Sequence, residues 1–156
     1  QMLEALKNYR NMPDSAIAVN LKCIIHMVGD MHCPVHIRYP NDQTLGVYKI
    51  YYYKNKPIDF HSLWDGRLIG AMQPWSYNDL ANMLDISSEA EIAEICKGDV
   101  YDWGEDAARS SIPLRNYKPN QYVDHAQFKR DNLEAGELLL RKAGYRLAKV
   151  LNEIFE

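Results

Sequence analysis

The sequence contains few cysteines, and it has no internal repeat, run of like charge or low-complexity segment. The three cysteines, Cys23, Cys33 and Cys96, allow at most one disulfide, and their spacing does not build a structural thiolate metal site. Cysteine content therefore does not decide the compartment. Cys23 lies in an apolar helical run, where we expect it to pack as a small hydrophobic side chain.

Long hydrophobic runs and an excess of basic charge are absent too. No run reaches the roughly 20 apolar residues that cross a bilayer, so we expect no membrane span. The net charge of -3 and the isoelectric point near 6.0 exclude a protein that grips nucleic acid through a basic surface alone, because such binding needs clustered lysine and arginine. Any affinity for phosphate would have to come from bound cations.

The composition is that of one globular domain, with 47% hydrophobic and 25% charged residues among 156. Apolar residues recur with the helical period over most of the chain, which predicts a single all-α domain over residues 1–156. The last helix is expected either as one long helix or as a helical pair broken near Gly136 or Gly144. Helices are predicted over residues 15–32, 77–84, 88–97, 100–110 and 123–155.

The helical period stops near residues 39–57, where we predict a short extended segment or β-hairpin. The stretch is rich in tyrosine, with Tyr48, Tyr51, Tyr52 and Tyr53. Such rings can stack on unpaired bases, a contact worth roughly 1–3 kcal/mol per base. More often, a ribbon of this kind packs its alternate side chains on the core.

The chemically informative residues lie between Ile25 and Asp65, which include four of the five histidines. His26 stands four positions before Asp30, and His61 four positions before Asp65. Residues at this spacing lie on the same face of a helix, so each pair offers an imidazole and a carboxylate together. These donors suit a borderline divalent cation, zinc first, with manganese or iron possible at an open site.

Pro34 separates the first pair from a further histidine. Proline cannot continue a helix and disfavours helical geometry at Cys33, so the chain should bend there. His36 can then leave the helix that carries Asp30 and meet His61 and Asp65. The two His/Asp pairs lie in one short window with a Pro-x-His between them. A metal site is therefore favoured, and a coincidental set of surface hydrogen bonds is the weaker explanation.

Three histidines keep alternative interpretations. His26 could be a core histidine bonded to Asp30, although the downstream partners favour metal ligation. His32 could orient another ligand by a hydrogen bond or could face solvent, and we do not assign it as a ligand. His125 follows Asp124, where a capping or surface role is favoured over metal binding.

The pattern His26-x-x-x-Asp30-x-x-x-Pro34-x-His36, followed by His61-x-x-x-Asp65, resembles the core motif of the single-strand-specific zinc nucleases, the S1/P1 nuclease family. This family is related to bacterial zinc-dependent phospholipase C. The likeness extends to Gly29, His32 and Trp64, to the segment Trp103-Gly104-Glu105-Asp106, and to the closing residues 143–152. The resemblance implies a nuclease-type helical domain that is secreted or periplasmic.

The resemblance also implies an activity and a ligand set. The family uses three zinc ions to hydrolyse single-stranded RNA and DNA and to remove 3′-phosphates from nucleotides. Carried over, His36, His61 and Asp65 would hold one zinc, and His26 and Asp30 would belong to a second. Asp30 would bridge to the third and act as the catalytic residue. Phe60 and Tyr48 are expected to contact the substrate.

Some of the family's features have no counterpart here. The remaining ligands of the second and third zinc are missing, so we expect these residues to be the C-terminal portion of a longer zinc nuclease that needs its N-terminal segment for activity. The family's Asp-x-Gly-Gly-Asn element is replaced by Leu45-Gly46-Val47, and Asn-Leu-His by Asp59-Phe60-His61. Two alternatives therefore stay open: a zinc-dependent phospholipase C, and a degenerate metal- or nucleotide-binding domain without turnover.

Overall fold

The fold is all-α with one small sheet, as the sequence predicts. The computed structural model describes residues 2–37, 49–52, 56–72, 75–118 and 120–155. Within these ranges, no helix is both long enough and apolar enough to cross a membrane. The helices are α1 (Met2–Leu6), α2 (Asp14–Met31), α3 (60–71), α4 (Tyr77–Leu84), α5 (Glu89–Ile95), α6 (Val100–Ser110) and α7 (His125–Phe155).

Side-chain caps set where several helices begin. The Ser88 hydroxyl accepts from the Glu91 amide while the Glu91 carboxylate accepts from the Ser88 amide, which starts α5. Asp99 and Asp102 form the same reciprocal arrangement at the start of α6. These caps satisfy amide groups that a helix leaves without intrahelical partners, and they are readable from sequence.

The predicted hairpin lies within residues 49–59. Strand β1 (Lys49–Tyr52) pairs antiparallel with β2 (Lys56–Asp59), and Ile50 stands opposite Ile58. A third strand, β3 (Tyr122–Val123), pairs parallel with β1 and completes the order β2-β1-β3. The strand β3 was not predicted, because two residues leave no detectable period. Residues 39–48 of the expected excursion, with Tyr48, lie outside the described residues.

Helix α7 is unbroken and joins two hydrophobic clusters. The first contains side chains of α3 and the sheet, and the second contains side chains of α1, α2 and α6. Of the two alternatives for this segment, the single long helix is the one observed. Members of the first cluster include Phe60, Leu63, Trp64, Phe128 and Leu139, and members of the second include Leu6, Ile24, Val28, Trp103 and Val150.

Candidate metal centre

The last turns of α2 carry the first His/Asp pair. His26 Nε2 lies 3.2 Å from Asp30 Oδ2, as the i, i+4 spacing predicts. The His26 side chain is 74% exposed and that of Asp30 is 45% exposed, so His26 is not a core histidine. Both donors are therefore accessible to an ion or to another protein segment.

The chain turns sharply after α2, as Pro34 predicts. The Cys33 amide donates to the Asp30 carbonyl, and the His36 amide donates to the Cys33 carbonyl, each at 3.0 Å. Pro34 and Val35 are buried beneath this turn. The turn places the His36 ring between Asp30 of α2 and the second His/Asp pair.

Helix α3 presents the second His/Asp pair. Asp59 caps its start, accepting from the Ser62 amide at 2.8 Å, and the opening turn Phe60–Ser62 passes into a π-helical stretch, Leu63–Leu68. His61 Nε2 lies 2.7 Å from Asp65 Oδ2. Stretches of π-helix are rare and frequently coincide with functional sites.

The two segments converge on one another. His36 Nε2 lies 2.6 Å from His61 Nε2 and 3.4 Å from Asp65 Oδ1, and the two rings meet edge to face. Two imidazole nitrogens and a carboxylate oxygen thus share a space a few ångströms across. This donor set fits zinc, which takes nitrogen and oxygen ligands at roughly 2.0–2.2 Å in tetrahedral geometry.

Asp30 lies between His26 and His36. Its Oδ2 faces His26, and its Oδ1 lies 3.5 Å from His36 Nδ1. The Nδ1 atom is buried and makes no hydrogen bond with any described residue. Asp30 thus faces both histidines, and its role as the residue shared between ions stays a prediction.

Cys33 is a member of the cluster that the sequence did not indicate. Its thiol donates to Asp65 Oδ1 at 3.2 Å, and donor atoms of Cys33, His36 and Asp65 all lie within 4.8 Å of one another. Burial, followed by the hydrogen bond to Asp65, raises the pKa of the Cys33 thiol to about 12. The one sequence signal that could have indicated Cys33 was its position in the bend between the candidate ligands Asp30 and His36.

An apolar cavity of about 340 Å³ opens beside these donors. Asp30, His36 and Asp65 contribute polar groups to its wall, and the rest of the wall comes from the end of α2 and the turn after it, from the region of α3 and from α7. Trp64 lies in this wall, and its buried Nε1 has no hydrogen-bond partner among the described residues. The centre therefore stands at the boundary between a polar surface and an apolar recess.

Of the two residues expected to contact the substrate, the structure describes only Phe60. Phe60 is fully buried and packs on Tyr117 and Phe128, with ring centroids 5.0 and 6.2 Å away. It therefore supports the core beneath His61, because hydrophobic burial outweighs exposure of such a ring. Tyr48, the other expected contact, is not among the residues that the structure describes.

His32 is neither solvent-facing nor bonded to a candidate ligand. Its Nδ1 lies 2.7 Å from the Val28 carbonyl, which can only accept, so this nitrogen carries the proton. Nε2 then accepts from Arg146 Nη1 at 2.9 Å. Burial, together with the nearby Arg146 charge, holds the pKa of His32 below its ordinary value, against the hydrogen bond to Val28.

His125, which was expected to cap a helix or lie at the surface, begins α7 and lies 2.6 Å from the Tyr52 hydroxyl. Its ring meets the ring of Tyr52 edge to face. Tyr52 itself packs against the first hydrophobic cluster, which agrees with the packing interpretation of that tyrosine. His125 thus ties α7 to the sheet and takes no part in the converging His/Asp set.

These features define a helical domain with an interhelical His/Asp centre suited to a divalent metal. A model of the S1/P1 nuclease family matches residues 1–156, and the chain belongs to that family. Similar proteins from Arabidopsis thaliana are Endonuclease 4 (25% identical), Endonuclease 5 (26%) and Endonuclease 3 (23%). Each alignment covers 99% of this chain. The chain spans between 56% and 58% of the length of these relatives.

Proposed function

We propose that this chain supplies a metal centre of a zinc-dependent nuclease that hydrolyses single-stranded RNA and DNA and removes 3′-phosphates from nucleotides. The observation that carries the proposal is the convergence of His36, His61 and Asp65 from two separated segments. Family membership supports phosphodiester chemistry. The single-strand and 3′-nucleotide preferences follow from the sequence resemblance.

His36, His61 and Asp65 would hold one zinc ion, and His26 with Asp30 would contribute to a second. A divalent ion at such a centre supplies Lewis-acid chemistry, drawing charge from a phosphoryl oxygen and lowering the pKa of water. It also offsets the chain's net charge of -3, which would otherwise repel a phosphodiester.

We propose that the Asp30 carboxylate helps to orient the His36 ring for this task. If His36 Nδ1 carries the proton and faces Asp30 Oδ1, 3.5 Å away, the lone pair of Nε2 points at the centre. A carboxylate behind a ligating histidine fixes the ring and raises its basicity. Asp30 thus serves both His26 and His36 and is the residue on which we propose catalysis depends.

We also propose that the centre is completed by further residues of a longer protein. His26 and Asp30 provide two donors, whereas zinc generally takes four ligands. Both side chains are substantially exposed, so additional ligands can reach them. The chain would then act as the C-terminal portion of the nuclease, together with an N-terminal segment.

The first test is metal content. Wild-type chain, His61→Ala and the control His125→Ala are saturated with zinc, desalted and measured by elemental analysis. His61→Ala should lose one zinc per molecule, because one imidazole and one carboxylate hold a divalent ion poorly. His125→Ala should retain it, since His125 bonds Tyr52 outside the centre. Unchanged zinc in His61→Ala would show that the ligand assignment is wrong.

The second test is substrate class, measured on the longest native protein that contains these residues. Single-stranded DNA, single-stranded RNA and phosphatidylcholine are each offered with and without chelator. Chelator-sensitive cleavage of the nucleic acids supports the proposal, and cleavage of phosphatidylcholine alone supports a phospholipase C instead. No cleavage at full zinc occupancy would identify a binding domain without turnover.

A further inference from the structure

The two oxygens of the Asp65 carboxylate have different neighbours. Oδ2 lies 2.7 Å from His61 Nε2, whereas Oδ1 accepts from the Cys33 thiol at 3.2 Å and lies 3.4 Å from His36 Nε2. The Asp65 side chain is 44% exposed, so packing alone does not fix its rotation. A carboxylate that ligates a metal is normally held by a second hydrogen bond.

Cys33 is well placed to provide that bond. Its own amide is tied to the Asp30 carbonyl, and the next residue, Pro34, is buried and has a fixed backbone angle. The side chain packs against the first hydrophobic cluster and has a single rotatable bond before its sulfur. The sulfur position is therefore set by the turn that also carries His36.

The contact has the geometry of a hydrogen bond between a thiol and a carboxylate. The Cys33 sulfur lies 3.2 Å from Asp65 Oδ1, and an S–H group in that position donates to the carboxylate oxygen, which accepts. Direct ligation by the sulfur is the competing arrangement, because donor atoms of Cys33, His36 and Asp65 lie within 4.8 Å of one another.

We propose that Cys33 is a positioning residue of the metal centre: its S–H group holds Oδ1 of Asp65 so that Oδ2 faces His61 and the ion. The inference rests on the proposed function, since it concerns zinc bound by His36, His61 and Asp65. It adds a residue to the centre that acts on metal affinity through Asp65.

The test compares Cys33→Ala, which removes the donor, with Cys33→Ser, which keeps a hydroxyl donor. Zinc affinity is measured by competition with a chromophoric chelator, and thermal unfolding confirms that each variant is folded. Loss of such a supporting bond typically costs 10–100-fold in affinity, so Cys33→Ala should bind about tenfold or more weakly. Cys33→Ser should recover most of the loss, and Cys96→Ala, which alters a half-buried cysteine at the end of α5, should match wild type.

Cobalt(II) substitution separates the donor role from direct ligation. A thiolate bound to cobalt gives an intense near-ultraviolet charge-transfer band, and we expect none that depends on Cys33. A band that disappears in Cys33→Ala would make the sulfur a ligand and overturn the proposal. Equal zinc affinity in wild type and Cys33→Ala, or no recovery in Cys33→Ser, would also overturn it.

The same measurements distinguish this inference from the proposed function. If the wild-type chain binds neither zinc nor cobalt, the metal centre itself is wrong, and the role of Cys33 falls with it. If the wild type binds both and Cys33→Ala is indistinguishable from it, the positioning role alone fails.

Discussion

Phe60 is a core residue next to His61 of the candidate metal centre. It precedes His61 in the chain, opens α3 and is fully buried between the rings of Tyr117 and Phe128. Buried aromatic rings contribute large apolar areas, and their edge-to-face contacts add to this stabilisation. The ring therefore anchors the first turn of α3, on which the position of His61 depends.

Phe60→Ala should destabilise the protein by about 3–5 kcal/mol, because it leaves a cavity in the first hydrophobic cluster. The free energy of unfolding is measured with urea. Tyr101→Ala removes a ring that is 82% exposed and should change stability by less than about 0.5 kcal/mol. Unchanged stability with weakened substrate binding would return Phe60 to the substrate-contact role first expected.

Which residues sequence analysis finds depends on how far apart the partners lie. His26 with Asp30, and His61 with Asp65, are pairs within one helix, so their proximity follows from spacing. The meeting of His36 with His61 could be anticipated only because Pro34 imposes a bend. The bond from Cys33 to Asp65 joins residues 32 positions apart without a spacing rule, and only the fold reveals it.

At the scale of elements, α7 passes close to Leu68 of α3 at Gly136. A Cβ added there would lie 2.6 Å from Leu68 Cδ2 and 3.4 Å from Leu68 Cγ. Leu68 is buried and has little room to move. The glycine is thus explained by helix packing, because α7 continues through it without a break.

Gly136→Ala should destabilise the protein by roughly 1–2 kcal/mol, since overpacking costs more than the gain in helix propensity. Gly144 provides a matched control on the same helix, because nothing lies within 4 Å of its added Cβ. Gly144→Ala should stabilise the protein by up to about 1 kcal/mol. Urea unfolding of both variants tests the pair, and equal effects would contradict the close approach.

Most element boundaries could be predicted, for local reasons. The ranges 77–84 and 100–110 coincide with α4 and α6, where Ser76 and Asp99 cap the helix starts. The π-helical stretch of α3 was missed because its apolar pattern is compatible with an ordinary α-helix. The local pattern around Gly136 was compatible with a continuous or a broken helix, and the close approach of Leu68 to this glycine is visible only in the fold.

At the scale of the molecule, a buried charge network connects helices that are distant in sequence. Arg146 of α7 donates to Asp106 Oδ2 of α6 at 2.8 Å and to the carbonyl of Ile95 at the end of α5. It also contacts His32, just after α2, and lies over the Trp103 ring. Lys142 adds a second cation to Asp106, so this carboxylate offsets two positive charges.

The contribution of Asp106 should depend on pH. Burial by itself would raise the pKa of Asp106, but hydrogen bonds and charges from Lys142 and Arg146 hold it below its ordinary value of 3.8. Between the lowered pKa of the folded state and the ordinary value of 3.8, the unfolded chain binds more protons than the folded chain, so the free energy of unfolding rises with pH. The contribution is fully present above pH 3.8 and is lost as the pH falls through the lowered pKa.

Asp106→Asn should therefore lower the free energy of unfolding at neutral pH by about 1–3 kcal/mol, because Arg146 is left buried without its counter-charge. The difference from wild type should narrow when the urea titrations are repeated at about pH 3. Asp79→Asn, in α4 and outside this network, serves as the control. A difference that stayed constant with pH would show that the carboxylate charge is not responsible.

Metal binding should couple the centre to the stability of the whole domain. His36 lies in the turn after α2, and His61 and Asp65 lie on α3. One ion would therefore link two segments that are not held together in the unfolded chain. A ligand that binds only the folded state stabilises it by RT ln(1 + [L]/Kd), about 2.7 kcal/mol at a hundredfold excess over Kd.

We therefore expect the thermal midpoint of wild type to rise with free zinc concentration and to return to its metal-free value when chelator is added. His61→Ala should unfold at a midpoint that is nearly independent of zinc, whereas Gly144→Ala should keep the full zinc dependence. If zinc stabilised His61→Ala as much as wild type, the ion would bind at a place other than His36, His61 and Asp65.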